Sequence, residues 1–135
     1  MRGTIIALAA VLLFGVEPTQ AAEGELYRCS ARDVVTMTDD GVVDRFKNDF
    51  WKNWWTDILV DTATGMLRWK DGTAQQWVVL QQGSNADDFV MTPVKNFRSA
   101  STHVLRVRAW AEKSAVTFLI YDLSTLVTGR CESVR

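Results

Sequence analysis

The sequence predicts a mainly β protein, a small antiparallel β-barrel or sandwich of seven to eight strands, with one short helix near residues 43–55. Three observations predict it. Short apolar stretches recur along most of the chain, separated by turn signals built from Asp, Gly, Ser and Asn. No helical segments alternate with those stretches, as a parallel α/β fold requires. Two cysteines, Cys29 and Cys131, stand near opposite ends of the strand-bearing region.

The elements follow in chain order. Leu26 to Arg32 reads as a first strand, and Val34 to Thr38 either continues it or begins another. Asp39-Asp40-Gly41 is a turn signal. From Val42 to Trp55 the apolar residues Val42, Val43, Phe46, Phe50, Trp51, Trp54 and Trp55 fall on one broad arc at helical spacing. Lys47 interrupts that arc, and Arg45, Asn48, Asp49, Lys52 and Asn53 lie opposite. Strict alternation fails at Phe50-Trp51 and Trp54-Trp55, so a helix fits better than a strand.

The pattern is β beyond Thr56. Ile58-Leu59-Val60 is a strand core. Asp61-Thr62-Ala63-Thr64-Gly65 is a hairpin loop in which Asp accepts local backbone bonds and Gly supplies positive φ. Met66 to Trp69 returns, and Lys70-Asp71-Gly72-Thr73 is a second tight turn. Ala74 to Gln81 is a longer strand, followed by the loop 83–88. Phe89 to Thr92 is a short strand stopped by Pro93. After the polar stretch 94–102, His103 to Trp110 carries Leu105, Val107 and Ala109 on one face and Arg106 and Arg108 on the other. Val116 to Tyr121 and Leu126 to Glu132 complete the set.

The first residues read as an address. Met1-Arg2 is a short positive start, Thr4 to Val16 is an apolar run, and Thr19-Gln20-Ala21 has small residues where a signal peptidase needs them. The run is too short to cross ~30 Å of hydrocarbon. The expected organisation is therefore a secretory signal at 1–21 and a single disulfide-closed β domain at 22–135, periplasmic or secreted, with no transmembrane segment in the mature chain.

The chain has 135 residues with 15 basic and 16 acidic side chains, a formal charge of −1. Arg2 and Glu17 both leave with the signal, so its removal does not shift the balance. A near-neutral chain lacks the basic excess of a nucleic-acid binder. Cys29 and Cys131 are expected to pair, because an even count in an exported chain suggests a disulfide. Metal and redox cysteines come at closer spacing or with histidine partners. In the chain-entropy view, closing a loop of about 100 residues is worth up to roughly 4.7 kcal/mol.

Little in the sequence points to catalysis. His103 is the single histidine, and it opens a strand after a polar loop, where surface exposure is the simplest expectation. No serine sits in a Gly-x-Ser-x-Gly elbow. Asp39-Asp40 and Asp87-Asp88 lie in turns where aspartate is common for backbone reasons. No catalytic residue, metal site or cofactor is expected, and the protein reads as non-enzymatic.

The aromatic residues carry the functional signal. Phe46, Phe50, Trp51, Trp54 and Trp55 form either packed core or a ligand or partner surface. Arg98, Arg106 and Arg108 form a candidate basic patch or a solvated, salt-bridged face. The candidate partners are a protein, a glycan or an apolar small molecule.

Ile58 to Gly65, Asn85 to Val90 and Leu126 to Glu132 resemble segments of a group of small, uncharacterised bacterial periplasmic proteins. That resemblance implies export and a β-rich fold. Tyr27-Arg28-Cys29 with Cys131 is also similar to the outline of the periplasmic inhibitors of c-type lysozyme, small exported β-barrels. Their Ser-Gly-x-x-Tyr inhibitory loop has no counterpart in this sequence. Three functional expectations result: a cell-envelope binding or interaction protein, an inhibitor of a lysozyme-like muralytic enzyme, or a barrel holding a lipid or other apolar ligand.

Overall fold

A computed structural model of the chain describes residues 24–45, 49–84, 87–94, 103–109 and 115–134. Residues 1–21, where a secretory signal is expected, and Phe46, Arg98 and Trp110 lie outside the described residues. The strands are β1 (Leu26–Met37), β2 (Val43–Asp44), β3 (Thr56–Asp61), β4 (Met66–Arg68), β5 (Ala74–Gln82), β6 (Phe89–Pro93), β7 (His103–Arg108), β8 (Val116–Asp122) and β9 (Thr125–Ser133), with a helix α1 at Asp49–Trp54.

From β3 to β9 each strand pairs antiparallel with the next. β1 pairs with β3 on one side and β9 on the other, which closes an eight-stranded barrel. β2 is an extra strand against the far end of β1, with Met37 opposite Val43. Of the two architectures the sequence allows, the chain adopts the barrel.

The long strand β1 explains the ambiguity at Val34. Tyr27, Cys29 and Ala31 face the core, and then the inward position passes to Val34, out of period by one. The β1–β9 register shifts between Ala31 and Asp33. A bulge there inserts one residue and flips the alternation, so one continuous strand reads as two.

Closure brings the cysteines together. Cys29 stands directly opposite Cys131 in the β1–β9 ladder, and the two form a disulfide spanning 102 residues of sequence. Two positions along, Ala31 faces Gly129. A Cβ on Gly129 would lie 2.2 Å from the Ser30 carbonyl oxygen and 2.4 Å from the Phe118 ring, so glycine is required where the backbones meet.

An eight-stranded barrel has an interior just wide enough for side chains to fill. Ile58, Val60, Leu67, Met91, Leu105, Val107, Ile120 and Val127 fill it and are fully buried.

The expected short helix near residues 43–55 is present as α1, while Val43 and Asp44 at the start of that span form β2. Thr38 ties a tight hairpin: its backbone N–H donates to the Val42 carbonyl, and its hydroxyl accepts from the Val42 N–H. Gly41 supplies a φ of 79° in that turn. Val42 and Val43, counted on the helical arc, are exposed residues of this hairpin and β2. The described helix α1 has Asp49 in its first turn, Lys52 in its last and the Thr56 hydroxyl donating to the Lys52 carbonyl.

Reducing the Cys29–Cys131 bond is expected to lower the free energy of unfolding by about 2–5 kcal/mol. Urea denaturation with and without reductant measures this, and an unchanged midpoint contradicts a bond that ties the closing strands.

Candidate functional site

The aromatic cluster divides in two. α1 follows the β1–β2 hairpin and enters β3, which sets it beside the barrel end that carries the β4–β5 turn. Trp55 follows the helix and is 2 % exposed, with Trp69 and Trp77 as buried neighbours. Their rings meet at tilted and edge-on angles, with centroids 5.8 Å apart for Trp55–Trp69 and 6.4 Å for Trp55–Trp77. These three are core, and half-buried Trp51 packs against the core cluster and meets the Phe50 ring edge-on at 5.4 Å.

Phe50 and Trp54 face outward, 64 % and 43 % exposed. Four residues apart on one helix, they share a face. Their rings are nearly parallel at 6.2 Å, and Trp54 then meets Trp69 at 5.7 Å. The three rings form a wall that runs from solvent into the core. With Asn53, Lys70 and Asp71 they line an open cleft of about 270 Å³.

The turn 70–73 holds the polar side of the cleft. Trp69 donates its backbone N–H to the Thr73 carbonyl, and Asp71 accepts from the Thr73 N–H at 2.8 Å. Hydrogen bonds from Thr73 hold the Asp71 carboxyl below the usual carboxylate range. The cleft therefore presents a fixed anion, a neighbouring lysine and an amide beside apolar ring faces.

The indole N–H groups of Trp55, Trp69 and Trp77 are buried and have no acceptor among the described residues. An unpaired buried donor costs about 1–3 kcal/mol.

The described members of the candidate basic patch, Arg106 and Arg108, are part-exposed and salt-bridged. Arg106 and Arg108 lie on the outer side of β7, and both reach Asp88, whose side chain is 3 % exposed. Arg106 bonds the carboxylate directly, and Arg108 Nε lies 3.5 Å from it. The adjacent Asp87 belongs to the loop, where Ser84 donates to it. Asp88 is thus a buried counter-ion and not half of an exposed acidic pair. Asp39 and Asp40 sit in the exposed β1–β2 turn, well away from it in the fold.

His103 corrects the expectation of surface exposure. It lies on the Leu105–Val107 face of β7 and is largely buried, with Nε2 2.9 Å from Asp122. Asp122 is its register partner on β8. Desolvation raises the Asp122 pKa, against the opposing pull of a charged His103. The parity of His103 with Leu105 and Val107 was readable in the sequence. The polar loop before it suggested otherwise.

Among the described residues no helix is long and apolar enough to cross a membrane, and no group of three or more His, Cys, Asp or Glu side chains is placed to hold a metal ion. Comparison with protein-family models, characterised proteins and solved structures finds no match for this chain.

Trp55→Ala is expected to cost about 3–5 kcal/mol, because it empties the end of the core. Trp54→Ala should cost about 1 kcal/mol or less, as an exposed ring. Equal losses in chemical denaturation contradict the division of the cluster.

The raised Asp122 pKa gives a pH dependence of definite sign. The folded protein binds this proton at higher pH than the unfolded chain does, so the contribution of Asp122 to stability falls as pH rises through the folded value. Asp122→Asn should flatten the stability profile over the pH range just above the ordinary aspartate value. Denaturation midpoints across that range test it, and an unchanged slope contradicts the assignment.

Proposed function

We propose that this chain is an exported, non-enzymatic binding protein of the bacterial cell envelope, and that its binding site is the aromatic cleft beside α1. One observation carries the reading: Phe50 and Trp54 stand in solvent on a helix whose next residue, Trp55, is deep core. Exposed aromatic surface lowers solubility unless it meets a ligand or partner. A helix of six residues has little reason to hold two such rings outward for its own stability.

Export is supported by the leader-like segment at 1–21 and by the disulfide, which persists in oxidising compartments. The filled barrel interior favours the cleft over the barrel lumen as the place for a ligand. The cleft approaches the lower end of the usual range for small-molecule sites.

Protein recovered from the periplasmic fraction of an expressing bacterium is expected to begin at Ala22, with the disulfide formed. Edman sequencing and non-reducing mass spectrometry read both. In a thermal-shift screen of chemically diverse fragments, the hits should lose their shift in Trp54→Ala. A chain retaining Met1 in the cytoplasm contradicts export, and hits indifferent to Trp54 contradict the site.

A further inference from the structure

We infer that the cleft takes a neutral oligosaccharide, with a pyranose ring stacked on the exposed face of Trp54 and its hydroxyls meeting Asn53, Lys70 and Asp71. The inference rests on the binding reading above and names the ligand class.

The first argument is the shape of the aromatic wall. A pyranose has a flat face of C–H bonds, slightly positive at hydrogen, and an indole face is slightly negative. The two attract and bury apolar surface on both sides. The Phe50 and Trp54 rings stack 16° apart, and Trp54 is still 43 % exposed, so one sugar ring has the open part of the indole to lie on.

The second argument is the polar side. Sugar hydroxyls donate and accept at once. Asn53 does both, Lys70 only donates, and Asp71 only accepts. The turn fixes Asp71 through Thr73, so its acceptor is positioned in advance.

The third argument is charge. Lys70 and Asp71 are adjacent and opposite, so the rim carries no net charge. A simple anion meets Asp71, and a quaternary ammonium meets Lys70. An aromatic cage for a cation needs rings facing one another across a gap. Here Phe50 and Trp54 stack on each other instead. An acyl chain needs a deep apolar tunnel, whereas this is an open cleft whose mainly apolar lining is edged by Asn53, Lys70 and Asp71.

The test is titration of the purified, oxidised protein with cellotriose, maltotriose and triacetylchitotriose, followed by tryptophan fluorescence and by the Trp54 indole and Asn53 amide resonances. Tetramethylammonium and decanoate serve as the cationic and apolar probes. At least one trisaccharide should bind saturably at millimolar concentration or below, and Trp54→Ala should weaken it by about tenfold or more. Phe50→Ala, at a still more exposed position, should weaken it less, and near-ultraviolet circular dichroism checks that both variants fold. Sugar binding that survives both substitutions overturns the inference. So does Trp54-dependent binding of tetramethylammonium or decanoate without any sugar binding, although the cleft then remains a binding site. Failure of every probe to perturb Trp54 overturns the inference and the binding reading together.

Discussion

Closure of the barrel between β1 and β9 is the constraint on which the rest of this structure depends. β1 and β9 are far apart in sequence, and their pairing carries the loop-closure entropy of nearly the whole described chain. The disulfide lies within that ladder, where it limits the same entropy in the unfolded state. Gly129 lets the two backbones approach, and the bulge near Ala31 lets β1 bend around the barrel. Because β1 turns at that bulge, its far half leaves β3 and takes β2 as partner. The carbonyl of Trp55 accepts from the Ala31 N–H at that divergence. The helix and its tryptophans are therefore placed by the way the barrel closes.

That placement accounts for the split within the aromatic cluster. Trp55 is anchored by its backbone bond to β1 and enters the core. The turn of helix before it has one side against the barrel and the other in water, so Phe50 and Trp54 on the outer side pack, among the described residues, only partly, against each other, Trp51 and Trp69. A stability argument alone accounts for Trp55, Trp69 and Trp77 as bulk, although their unpaired indole donors make them costly bulk. It does not account for Phe50 and Trp54, and that remainder is the basis of the functional proposal.

Much of the fold was legible because strand alternation and turn chemistry act locally. Asp61 accepts from Ala63, Thr64 and the Thr64 hydroxyl in the hairpin loop, with Gly65 at positive φ, as the loop sequence requires. The Leu105–Val107 face is buried as its period of two predicts. The features that escaped were set by tertiary contacts. Val42 and Val43 fall outside the helix because Thr38 and Gly41 close a hairpin whose valines happen to fit a helical arc. Asp88 could not be told from Asp87 without knowing that β7 lies beside β6 and offers Arg106 and Arg108. Asp122 and His103 meet only through the β7–β8 register. The cleft needed the β4–β5 turn to come against the helix, which no local pattern encodes.

The closed barrel sorts its described tryptophans into buried and exposed sets. Hydrogen exchange of the indole N–H groups, followed by NMR on the oxidised protein, tests that most directly. The prediction is that Trp55, Trp69 and Trp77 exchange only through openings near the global unfolding free energy, while Trp54 exchanges within the first spectra. Trp54 protected to the level of Trp55, or Trp55 exchanging as freely as Trp54, would contradict it.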